Sequence, residues 1–87
     1  MELFAYTFKD KDGEEKLCGY FRDDKPYPMV CDDRQRGRLD NYAQEMAKNH
    51  KMIIDCHKLV TDDRTIVVTF DGSDKTREEK NPPKDGD

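Results

Sequence analysis

With 87 residues, of which 33% are hydrophobic and 41% charged, the chain has room for one modest core but not for a deep cleft with a supporting shell, which argues against a multi-step enzyme. Its formal net charge of -4 is mild and both signs are interspersed, which excludes a general affinity for DNA or for anionic membranes. No apolar stretch approaches the length of a membrane span and no basic-then-apolar leader opens the chain, so a cytoplasmic protein is expected, in the host cytoplasm if it is phage-encoded.

In chain order, Leu3 to Phe8 is a short alternating run that predicts a strand, with Phe4, Tyr6 and Phe8 on one face. Asp10, Lys11, Asp12 and Gly13 interrupt it as a hairpin turn, and Leu17 to Phe21 forms the second strand. Asp23 to Met29 carries Pro26 and Pro28, which suit neither a helix nor a central strand, so a crossover loop is expected there. Asp32 followed by Gln35 resembles an acidic capping box and places a helix start near Asp33. Gly37 opposes that start, so the stretch from Arg34 to Arg38 reads either as a first turn or as a loop. Leu39, Tyr42, Ala43, Met46 and Ala47 recur at helical spacing, and Lys48, His50 and Lys51 complement the helix dipole and predict a stop near Asn49.

Met52 to Val60 and Ile66 to Phe70 are again strand-like, joined at Thr61, Asp62, Asp63 and Arg64. The expected fold is therefore α+β: a ββαββ order, with a single helix packed on a four-stranded antiparallel sheet over residues 1–72. Strand orders 2-1-3-4 and 1-2-4-3 both satisfy it. Residues 73–87 contain no apolar side chain and read as a disordered charged tail. One sheet face is left for water or a partner, and Ile53 and Ile54, like Val67 and Val68, put apolar side chains on both faces. That pattern allows a homodimer.

Three constellations bear on function. Cys18, Cys31, Cys56, His50 and His57 have the atom types of a zinc site but not its spacings, and adjacent Cys56 and His57 point to opposite sides of a strand, so no metal, cofactor or thiol catalysis is expected. An odd number of separated cysteines reads as reduced thiols. The basic run Arg34, Arg36 and Arg38 is a candidate nucleic-acid contact, but Asp32, Asp33 and Asp40 lie beside it and shorten the positive footprint. The acidic connections offer Asp23, Asp24, Asp32, Asp33, Asp62 and Asp63 as a contact for a basic protein surface, although aspartate is also favoured in turns for its local hydrogen bonds. The leading expectation is a non-enzymatic binding module that docks on another protein, of the accessory or inhibitor kind carried by phages and mobile elements. A small nucleic-acid-binding regulator is the alternative.

Overall fold

The computed structural model describes residues 2–60 and 63–73. One helix lies against an antiparallel sheet, as the alternation of periods predicts, and the strands β1 (Leu3–Lys9), β2 (Glu15–Leu17), β6 (Ile53–Val60) and β7 (Asp63–Asp71) follow the order β2-β1-β6-β7. This is the first of the two orders the sequence allows, although the expected second strand, Leu17 to Phe21, is split: Leu17 ends the strand that pairs with β1, and Gly19 to Phe21 leave the sheet.

The outer side of β1 is shared. β2 pairs with Thr7 to Lys9, and a further short strand, β5 (Val30–Asp32), pairs with Leu3 to Ala5, both antiparallel. Between them, at Tyr6, the chain leaves the sheet. The Cys18 N–H donates to the Tyr6 carbonyl at 2.8 Å, the Tyr6 N–H to the Met29 carbonyl at 3.0 Å and the Met29 N–H to the Cys18 carbonyl at 2.9 Å. These three bonds form the base of a two-stranded arm, β3 (Gly19–Arg22) and β4 (Lys25–Pro28).

The expected crossover loop is therefore a hairpin, and its prolines fit for a definable reason. Asp23 and Asp24 take left-handed conformations with φ of 53° and 65°, the pattern of a type I′ two-residue turn that aspartate tolerates better than most side chains. In such a hairpin the pair flanking the turn exchanges hydrogen bonds and the following pairs alternate. Pro26 opposite Phe21 and Pro28 opposite Gly19 then fall at non-hydrogen-bonded positions, where no N–H is needed.

The helix, α1 (Arg36–His50), begins three residues later than the capping pattern implies. The Asp32 carboxylate does accept backbone N–H bonds, from Arg34 at 3.0 Å and Gln35 at 3.2 Å, but these close a separate turn before the helix. Arg34 is in that turn, and Arg36, Gly37 and Arg38 are helical. At the other end Lys51 takes the left-handed conformation that commonly ends a helix, and the Met52 N–H returns to the Ala47 carbonyl at 3.0 Å.

The helix buries Leu39, Ala43 and Ala47 against Phe4, Tyr6, Ile54 and Cys56 of the sheet. The sequence stripe is wider than this buried line: Tyr42 is exposed and Met46 only partly buried. Small residues on the buried line let the helix axis approach closely, and Gly72 at the end of β7 lies directly beneath it, with its N–H on the Met52 carbonyl at 2.9 Å. Residues 74–87 of the predicted tail, and Thr61 and Asp62 of the second turn, lie outside the described residues.

Candidate functional site

Two places gather side chains in a way the fold alone does not require. The first is the cleft between the arm and the helix. Tyr20, on the helix-facing side of the arm, stacks on Tyr27 across the hairpin with ring centroids 5.6 Å apart and leans on Tyr42 of α1 at 5.3 Å. Phe21 of the arm and Glu45, Met46, Asn49 and His50 of the helix complete a cleft of about 300 Å³. Phe21 is 77% exposed, an unusual position for a phenylalanine held on a regular ribbon, and Tyr27 and Tyr42 are each 39% exposed. Burial of Cys18 and Met29 in the core anchors the arm at its base, so the aromatic rings are carried on a fixed support. Rings of this kind offer large contact area at small cost in conformational entropy.

The second place is the sheet face away from the helix. His57 Nε2 lies 2.7 Å from Thr7 Oγ1 and 3.1 Å from Glu15 Oε2, the Thr7 hydroxyl donates to Glu15 Oε2 at 2.8 Å, and the Arg64 guanidinium binds Glu15 Oε1. Thr7 has one proton and gives it to Glu15, so its oxygen accepts from His57, which places a hydrogen on Nε2. The carboxylate and the hydroxyl therefore meet the same ring nitrogen. A nucleophile–base–carboxylate relay requires them on opposite nitrogens, and this arrangement cannot activate Thr7. Its role is to satisfy His57 and Thr7, which are buried although no second layer among the described residues covers this face: the Arg64–Glu15 pair, drawn from β7 and β2, spans the sheet over them.

This network predicts an acid limb of stability. Hydrogen bonds from Thr7 and then Arg64 hold the Glu15 carboxyl below its ordinary value of 4.5. A group whose folded value is depressed contributes fully above its unfolded value and loses that contribution as pH falls through the folded one. Glu15→Gln should accordingly be less stable than wild type at neutral pH, with the gap closing below pH 4.5, as read by urea denaturation across a pH series. A gap that stays constant into acid would remove the carboxylate from the network.

The acidic residues singled out by sequence are dispersed. Asp23 and Asp24 form the exposed tip of the arm. Pairing sets Asp32, Leu3, Leu59 and Arg64 in one row across the sheet, so Asp32, Asp33 and Asp63 lie toward one end of it. Asp32 is engaged internally: the Arg34 guanidinium at 3.0 Å, followed by the backbone N–H groups, lowers its carboxyl below the usual value. Asp63 accepts the Arg64 N–H at 2.7 Å, while Asp33 is exposed. Asp62 lies outside the described residues.

The arginines are likewise divided. Arg34 pairs with Asp32, and Arg36 lies over the Phe4 ring at 4.8 Å and 3.6 Å from Asp40, whose other oxygen accepts the buried Tyr6 hydroxyl at 2.5 Å. Arg38 is exposed. All three cysteines are free, buried thiols, and burial pushes Cys18 up to about 11 and raises Cys31 and Cys56, away from the thiolate form that reacts at neutral pH. Among the described residues no group of three His, Cys, Asp or Glu side chains is placed to hold a metal ion, and no helix is long and apolar enough to cross a membrane.

Comparison of the chain with protein-family models, with curated proteins and with solved structures gives no match. The aromatic cleft went unforeseen because Pro26 and Pro28 read as loop. The available signal was the run Tyr20-Phe21-Arg22-Asp23-Asp24-Lys25-Pro26-Tyr27, in which aromatics stand symmetrically about a pair of turn-forming aspartates.

Proposed function

We propose that this chain is a non-enzymatic docking module, of the accessory or inhibitor kind, that binds another protein through the aromatic arm and the cleft behind it. The observation that carries the reading is the Phe21 ring, held in solvent on an arm whose base is bonded into the core. An exposed aromatic on a rigid support, beside a cleft lined by further rings, is the arrangement of a binding anchor. Arg22, Asp23, Asp24 and Lys25 at the tip supply a polar rim of both signs, which favours a partner surface of mixed charge over a purely basic one. Internal pairing of Arg34 and Arg36 supports this reading over the nucleic-acid alternative, since an arginine held by a carboxylate gains less from a phosphate.

The test is retention of proteins from a native lysate by wild type and by three variants. Phe21→Ala, which alters an exposed ring and should leave the melting temperature within about 2 °C of wild type given the small effect of surface changes, should lose the retained protein. The pair Asp23→Asn and Asp24→Gly removes the tip charges while keeping residues that favour the type I′ turn, and should weaken retention mainly at low salt. Arg38→Glu should leave it unchanged. Retention indifferent to Phe21→Ala, yet abolished by Arg38→Glu and by nuclease, would replace this reading with the nucleic-acid one.

A further inference from the structure

The two edges of the sheet are treated differently. On the β2/β5 side the edge is cut into strands of three residues each, interrupted by the arm. Short, broken edges are one of the ways natural sheets resist unwanted pairing. On the other side β7 runs for nine residues from Asp63 to Asp71, without proline or lysine, and its centre, Thr65-Ile66-Val67-Val68-Thr69, is rich in β-branched residues. Ile66 and Val67 are 51% and 41% exposed. The helix packs on Gly72 just beyond the strand, but an open cleft of about 280 Å³ lies between Gln44 and Lys48 of the helix and Thr69 to Asp71 of β7. The guards of β7 are confined to the end charges Asp63, Arg64 and Asp71 and to the bulge at Val67, so a strand of this length and composition is a template for a strand that can accommodate both.

We propose that the occupant is a second copy of the chain, with β7 pairing antiparallel to β7 about a two-fold axis. The argument rests on face and charge. Arg64, Ile66, Thr69 and Asp71 lie on the open face, opposite Leu59, His57, Asp55 and Ile53, whereas Asp63, Thr65, Val68 and Phe70 lie on the helix face. The switch occurs at the irregularity between Cys56 and His57, where β7 carries Val67 as an extra residue. Two joined sheets must match open face to open face. Only two long registers do so. In one, Arg64 faces Asp71 of the second copy, Thr65 faces Phe70 and Ile66 faces Thr69; in the other, shifted by two, Asp63 faces Phe70. The first sets Arg64, whose guanidinium also holds Glu15 of its own chain, across from Asp71 at both ends of the ribbon, so the charges are opposite in sign there, whereas the second register puts Asp63 against an apolar ring. Because both strands carry the same extra residue beside the axis, the bulge that would mismatch a regular strand from another protein matches itself here. The residues after Ser73 are a poor alternative occupant, having no apolar side chain and carrying Pro82 and Pro83.

Sedimentation equilibrium of the full chain should show a dimer that dissociates on dilution. Val67→Lys and Thr65→Lys, at exposed positions on the edge, should each shift the species to monomer while leaving the circular dichroism spectrum unchanged, because lysine is a natural edge guard. Phe21→Ala should remain dimeric, which separates this interface from the docking surface of the arm. Spin labels on Val67→Cys should broaden each other strongly, and those on Thr65→Cys should report backbones about 14 Å apart, from four rungs of strand rise, Val67 being the extra residue, and one strand spacing. A wild type that stays monomeric at several hundred micromolar would overturn the proposal. So would a dimer that survives both lysine variants, or one that dissociates with Phe21→Ala.

Discussion

Gly72→Ala should cost more than about 3 kcal/mol, the upper part of the range for overpacking, and leave a large unfolded fraction at moderate urea. The added Cβ would stand 2.0 Å from the Ala47 carbonyl oxygen, 2.3 Å from its carbon and 2.6 Å from the Lys48 nitrogen. These are backbone atoms of the helix, so no side-chain rotation relieves the contact. Either the last turns of α1 lift from the sheet, exposing Ala47 and Ile54, or the end of β7 peels away and gives up the Gly72 bond to Met52. Gly37→Ala is the internal control. Nothing lies within 4 Å of a Cβ there, and alanine in a helix is favoured over glycine by up to about 1 kcal/mol, so the same substitution should stabilise at one site and unfold at the other. Equal, small effects in urea titrations of both variants would mean that β7 does not end against the helix.

Ala43→Asp should be the most damaging substitution on the helix, whereas Met46→Asp, one turn away, should be tolerated. Ala43 is fully buried between α1 and the sheet. A carboxylate placed within that apolar cluster would lose several kcal/mol of hydration, enough to consume most of the roughly 5–15 kcal/mol stability of a domain this size. Met46 borders the arm cleft and is only partly buried, so its replacement by aspartate can keep the charge in water. The sequence stripe alone ranks Met46 with the core. The contrast is read by circular dichroism at 25 °C, where Ala43→Asp should lack the native spectrum and Met46→Asp should retain it. Met46→Asp is instead expected to impair docking. A native Ala43→Asp would show that the helix is rotated from the orientation described.

These two contrasts mark where a linear reading succeeds. The helix and the strands β1, β6 and β7 were legible because period and composition change together at Leu39 and Met52, whereas the run Leu17 to Phe21, read as one strand, is divided between the end of β2 and the arm. The arm was not, because proline reports only a missing donor, and whether the donor is needed depends on which side of a ladder the residue faces. Thr7, Glu15, His57 and Arg64 were individually unremarkable in the sequence. Their meeting depends on the pairing register of strands far apart in the chain, which no local pattern encodes. The stripe on α1 was read too wide at Tyr42, which packs against Tyr20 of the arm, an element the reading had assigned to loop, while Met46 does pack against the core but remains partly exposed. Among the proposed contact residues, Asp32 and Arg36 carried the right charges but face inward, since each satisfies a neighbour within the fold.

The way the arm joins the sheet has a consequence for how such a protein can change. Its two ends, Cys18 and Met29, sit side by side and are bonded to each other and to Tyr6, so whatever lies between them leaves and re-enters at the same rung. Lengthening, shortening or exchanging that segment shifts no register elsewhere, and the entropy of closing a longer loop rises only slowly with length. Binding surface and scaffold are thus separable in inheritance. Selection could rewrite most of the contacts made at the arm through a ten-residue cassette, from Gly19 to Pro28, while the helix side of the cleft and the β7 edge kept their own constraints and the remainder of the fold stayed in register.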